Sequence, residues 1–216
     1  MIAEEQTTGR GRFGRPWLSP VGGIWMTIIL RGPLVQAASS SLPLIGALAT
    51  VKGIRSQLGI DVQVRWPNDV VFTGKKLSGI IVETKTRGNE FEYALLGMGI
   101  NANFPVSLLK GAPNSTTLLE IIGSPVDREQ LVCSILAEIE QLKELFLSAG
   151  AQGVLDILER YECSRGKHVK VTLQDSQTSG IITEYDELSR VVILQSDGTP
   201  EKIDTASVIL AEYDNG

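Results

Sequence analysis

Residues 65–83 read Arg-Trp-Pro-Asn-Asp-Val-Val-Phe-Thr-Gly-Lys-Lys-Leu-Ser-Gly-Ile-Ile-Val-Glu. Two apolar runs, 70–72 and 77–83, flank Thr73-Gly74, which predicts two strands joined by a turn. The second run is nearly all apolar, so Lys76 stands at the mouth of a buried strand, seven residues after Asp69. Working outward, Val62, Val64 and Trp66 alternate as a strand, and 24–30 and 91–98 add two more. Residues 2–5 read as the end of another. From Ser41 to Gly59 the period turns helical, with Leu44, Leu48, Val51, Ile54 and Leu58 on one stripe and Pro43 in the first turn. Asp127 and Gln130 form a capping box ahead of a long stripe, Leu131, Ile135, Ile139, Leu142 and Phe146. A shorter helix carries Val154, Leu155, Leu158 and Tyr161. Near Arg165-Gly166 the period drops to two. Short strands at 168–173, 180–185, 191–195, 202–205 and 207–210 predict a small β-barrel. The expected architecture is α+β: a mixed sheet with helices on one face over residues 1–163, then a barrel over 164–216.

Bulk properties narrow the function. The 216 residues suffice for one good core and a small second unit. A net charge of −5 argues against a broad basic face for nucleic acid. Cys133 and Cys163 have no metal or redox spacing and suit a reducing cytoplasm. The N-terminus lacks a signal-peptide pattern, and no apolar run reaches the ~20 residues of a membrane helix. His168 is the sole histidine, so neither a Ser/His/Asp set nor a histidine metal cluster can be built.

Two further motifs carry chemistry. Gly-Arg-Gly-Arg-Phe-Gly-Arg-Pro-Trp spans 9–17. It formally matches a dinucleotide fingerprint, but Pro16 and Pro20 forbid the required helix. Arg10, Arg12 and Arg15 on a glycine-rich loop suit an anion instead. Gly-Met-Gly-Ile-Asn-Ala-Asn spans 97–103. Its glycines leave a bare strand end on which a flat purine can lie. Asp69 suits magnesium or an incoming amine, and Lys76 a carboxylate or a phosphate. Each motif also has a plain use: Pro-Asn-Asp makes a good turn, Trp66 a good core residue.

In order, spacing and content, these three segments resemble the biotin–protein ligases. The resemblance implies ATP-dependent activation of biotin as biotinyl-5′-AMP and transfer to a lysine of a biotin carboxyl carrier protein. It implies ATP, Mg2+ and biotin as ligands, and allows a homodimer. Lys76, Arg12 and Asp69 match catalytic positions, with Asp69 also the candidate metal ligand. Gln6, Gly9, Arg10, Arg12, Trp25, Lys76 and Gly79 match the biotin side, with Ile24 beside Trp25 in the pocket wall. Gly11, Arg12, Arg15, Trp17, Asn68, Asp69, Gly99, Ile100 and Asn101 match the nucleotide side. The arginine loop is expected to be mobile without ligand. The family's first strand and helix, with a Ser-Thr pair for the ureido group, are expected upstream of Met1. No helix-turn-helix is seen, so no nucleic-acid partner is expected. Lipoate or octanoate transfer on the same fold, and non-catalytic biotin binding, are the rival expectations.

Overall fold

A computed structural model describes residues 1–32, 35, 41–88 and 90–214. Six strands form the larger sheet: β1 (Ile2–Ala3), β2 (Ile24–Leu30), β3 (Gln63–Arg65), β4 (Asp69–Phe72), β5 (Lys75–Arg87) and β6 (Glu90–Ile100). Their order is β1-β2-β6-β5-β4-β3. The expected turn at Thr73-Gly74 is present. Both residues have positive φ, 46° and 80°, the backbone a two-residue hairpin favours, and Phe72 pairs with Lys75. The α+β class holds. Every pairing in this sheet is antiparallel, however. The parallel component of the expected mixed sheet is confined to single bridges, Val64–Glu162 and Lys76–Ser115.

Helix α1 (Leu42–Leu58) packs on one face of the sheet, and the long α3 (Arg128–Leu158) packs on α1. Between them in sequence lies the short α2 (Leu118–Ile122). Eleven of the 17 residues of α1 are buried because it is sandwiched. Two glycines allow the close approach. A Cβ on Gly46 would come within 2.9 Å of Ile80 on the sheet side, and one on Gly53 within 2.7 Å of Ile135 on the α3 side. At the start of α3, the Asp127 carboxylate accepts from Gln130 N–H at 2.9 Å, the cap read from sequence. The two expected C-terminal helices are both present within this span and meet at a kink at Gly150, whose φ of 68° and ψ of −164° are not helical.

The second sheet holds β7 (His168–Thr172), β8 (Gln177–Tyr185), β9 (Val191–Leu194), β10 (Pro200–Ile203) and β11 (Leu210–Tyr213), in the order β10-β9-β8-β7-β11. No pairing between β10 and β11 closes a barrel among the described residues. The last two strands sit away from the expected 202–205 and 207–210. Asp204 accepts from Ala206 N–H at 2.8 Å and turns Thr205–Ser207 into one 3-10 turn. Trp66, from the end of β3, is fully buried in this second core beside Val169, Ile182 and Val208. The two sheets are thereby joined through a side chain of the Arg-Trp-Pro-Asn-Asp segment.

Candidate active site

Alternation along the strands decides what faces the site. On β6, Ala94, Leu96, Met98 and Ile100 are buried in the core shared with α1, which leaves Leu95, Gly97 and Gly99 on the other face. Gly79, Ile81 and Glu83 of β5 and Trp25 and Thr27 of β2 share that face. Together they floor a cavity of about 820 Å³, a size suited to a small molecule. Its walls come from the arginine loop, from Pro67–Asp69 with Lys76, and from residues 209–211.

The arginine loop folds as an irregular hairpin. Gly9 O accepts from Trp17 N–H at 2.9 Å and Arg15 O from Gly11 N–H at 2.7 Å. Its tip, Arg12–Gly14, is a single 3-10 turn with Phe13 at φ 55°. Arg12 turns inward. Its Nη1 donates to Asn68 Oδ1 at 3.4 Å, and its Nη2 donates to the carbonyls of Thr205 and Val208, the latter at 2.8 Å. Arg15 Nη2 donates to the Ile209 carbonyl at 3.0 Å. Burial, aided by the Arg15 charge, pushes the Arg12 guanidinium below its ordinary value, while Asp69 and Asp204 pull it back up. An arginine starting so high stays charged near neutrality.

Lys76 Nζ lies 2.6 Å from Asp69 Oδ1, and Arg65 Nη2 lies 3.1 Å from Asp69 Oδ2. The Lys76 backbone is held by a strap. Its N–H donates to Asn114 O at 2.7 Å and its carbonyl accepts from Thr116 N–H at 2.9 Å. The bare glycine floor carries the indole of Trp17. A Cβ on Gly99 would fall 2.6 Å from Trp17 Nε1, and one on Gly79 3.2 Å from the ring. Lys76 Nζ sits 5.1 Å from the ring centroid. The indole N–H is shielded from solvent and finds no acceptor among the described residues.

Of the residues singled out from sequence, Gln6, Gly9, Arg10, Gly11, Arg12, Arg15, Trp17, Trp25, Asn68, Asp69, Lys76, Gly79 and Gly99 line this one cavity. Ile24, Ile100 and Asn101 do not. Ile24 and Ile100 point into the core. Asn101 is covered by the strap, its Nδ2 donating to Thr116 O at 3.0 Å. A resident magnesium ion does not suit these donors. Both oxygens of Asp69 already face cations, and no three His, Cys, Asp or Glu residues cluster among the described residues. Nor is any described helix long and apolar enough to cross a membrane.

Residues 1–101 match the biotin/lipoate A/B protein ligase family model. A bifunctional ligase/repressor BirA of Bacillus spizizenii is 31% identical over 216 residues, covering 97% of this chain and 65% of the relative. Over most of its length the chain is similar to biotin–protein ligases. A solved Aquifex aeolicus biotin protein ligase, in complex with biotin and ATP, superposes with a TM-score of 0.82 at 26% identity, covering 99% of this chain and 88% of that one. A biotin–[acetyl-CoA-carboxylase] ligase of Paracoccus denitrificans is 33% identical over 117 residues, covering 53% of this chain and 46% of the relative. The groups that sequence reading missed are mainly backbone atoms. The carbonyls of Thr205, Val208 and Ile209 and the strap at 114–116 carry no side-chain signature.

Proposed function

We propose that this chain activates biotin with ATP, as biotinyl-5′-AMP, and transfers it to a lysine of a biotin carboxyl carrier protein. The observation that carries this reading is the convergence of all three motif segments on one cavity. In the first step a biotin carboxylate oxygen attacks the α-phosphorus, and the bond to pyrophosphate breaks. Two anions must approach, so cations at their meeting point lower the barrier. Arg12 and Lys76 supply them, with Arg10 and Arg15 nearer the rim. The glycine floor with Trp25 takes the apolar body of biotin. In the second step the carrier's amine attacks the acyl carbonyl and AMP leaves with the bonding pair. Asp69, beside Lys76, accepts or orients the amine protons. Magnesium would come with the triphosphate rather than be held by these side chains, and would help neutralise its charge. Trp17 leaves the floor as substrate enters and its N–H gains an acceptor.

Biotin-dependent ATP–pyrophosphate exchange, followed by transfer of labelled biotin to a carrier domain, tests the proposal. Exchange that responds to lipoate and not to biotin would move the chain to the lipoate branch. Biotin binding without exchange would make it a binding protein.

A further inference from the structure

The geometry points to Thr205, in the C-terminal sheet, as a positioning residue for the anion-binding guanidinium of Arg12. The inference rests on the proposed role of Arg12 and adds a residue outside the three motifs.

Thr205 is 1% exposed and faces both other parties at once. Its Oγ1 accepts from Trp66 Nε1 at 3.0 Å, and its backbone carbonyl accepts from Arg12 Nη2. The same Nη2 reaches Val208 O at 2.8 Å, and Nη1 reaches Asn68 Oδ1 at 3.4 Å. A guanidinium has five N–H donors. Three are spent on these protein acceptors, which leaves two, one on Nε and one on Nη1, for an anion in the cavity that Arg12 lines. An arginine on a loop has many rotamers. Three fixed acceptors select one of them before substrate arrives, so less freedom is lost on binding.

The acceptors are themselves held. The Trp66 indole is fully buried in the second core, and its carbonyl accepts from Tyr213 OH at 2.6 Å. Asn68 is fixed by its Nδ2, which donates to Ile80 O at 2.7 Å. Thr205 opens the 3-10 turn whose cap is Asp204, so its carbonyl direction depends on where its side chain is anchored. The bond to Trp66 is that anchor. Val208 offers only a carbonyl, which substitution leaves in place. Thr205 is therefore where a side-chain change can reach Arg12 without touching the cavity.

The test uses the 216-residue chain with Thr205→Val, which keeps the shape and loses the acceptor, or with Thr205→Ser, which keeps the acceptor. Each is made alone and with Arg12→Ala. Biotin KM and kcat are measured by pyrophosphate exchange, adenylate escape by labelling of a bystander protein, and folding by thermal melting. Thr205→Val is expected to raise biotin KM and bystander labelling roughly tenfold, as for one lost contact to a charged group, with kcat falling by no more than it does in Arg12→Ala. Thr205→Ser should stay near wild type. In the Arg12→Ala background Thr205→Val should add nothing, since it acts through Arg12. If Thr205→Val does not fold, Trp66→Phe cuts the same bond from the donor side and should give the same signature.

Unchanged KM and labelling in folded Thr205→Val overturn the inference. So do effects that multiply with those of Arg12→Ala, or a loss of kcat and melting temperature that Thr205→Ser does not restore. Wild-type protein without biotin-dependent exchange overturns the ligase reading and this inference together. Active wild type with an indifferent Thr205→Val overturns this one alone.

Discussion

At the scale of single residues, Lys76 and Trp17 are where chemistry and packing separate most cleanly. Lys76 pairs with an Asp69 that also keeps Arg65, and its side chain is 28% exposed. Its removal therefore costs the fold at most about 1 kcal/mol. In a site where charge develops it is worth far more. Lys76→Ala should cut biotin-dependent exchange by roughly 10²–10³-fold with a near-native melting curve. Unaltered exchange would take Lys76 out of the mechanism. Trp17 lies on Gly79 and Gly99 with an unpaired N–H, a cost of about 1–3 kcal/mol that a ligand acceptor can relieve. Its fluorescence should therefore change when biotin and a non-hydrolysable ATP analogue bind. Trp17→Phe should remove the larger part of that change, leaving what Trp25 in the same cavity contributes. A change as large in Trp17→Phe as in wild type would show that the indole stays where it is.

At the scale of elements, contacts between helices and within turns set the balance. The α1–α3 crossing is close at Gly53, where a Cβ would lie 2.7 Å from Ile135 Cγ1 and 3.2 Å from Ile135 N. Backbone cannot step aside as a side-chain tip can. Gly53→Ala should destabilise by about 1–3 kcal/mol despite the better helix propensity of alanine. Urea unfolding would measure this, and a stabilised variant would mean the crossing is looser than described. The β8–β9 turn hangs on Asp186, whose carboxylate accepts from the N–H groups of Leu188 and Arg190, both at 3.0 Å, and from the Arg190 side chain. Burial pushes this carboxyl up, yet those hydrogen bonds outweigh it and hold it below its ordinary value. A depressed folded pKa contributes stability that is complete above the unfolded value of about 3.9 and is lost as pH falls through the folded one. Asp186→Asn should therefore narrow its stability deficit against wild type only below about pH 4. A gap that is constant with pH would contradict the assignment.

At the scale of the whole molecule, Trp66 joins the two sheets. It leaves β3 and fills the second core, its N–H bound to Thr205 and its carbonyl to Tyr213 OH. A second link is the buried contact between the hydroxyls of Ser41 and Ser189 at 2.7 Å. Trp66→Ala should cost about 3–5 kcal/mol, lost mainly from the C-terminal sheet. Limited proteolysis should then cut within residues 164–214 before the larger sheet. Simultaneous loss of both parts would show that they unfold as one unit.

The amino-acid sequence by itself determined most of what is local. The Thr73-Gly74 turn, the Asp127 cap and the α1 stripe were legible because backbone conformation and periodic burial depend on neighbouring residues. That Arg12, Asp69 and Lys76 belong together in one cavity was legible too, because they are residues whose charge needs a use. The tertiary structure alone decided three other matters. The side chain of Ile100, a position the resemblance puts on the nucleotide side, goes into the core, because the one-residue phase of a strand is set by its partners. The glycine strand end is bare in sequence, but Trp17 lies on it because a hairpin closed at Gly9 brings the indole there. Arg12 reaches Thr205 across 193 residues, onto a carbonyl that every residue type possesses. A backbone acceptor leaves no mark in sequence, and only folding tells which one an arginine will meet.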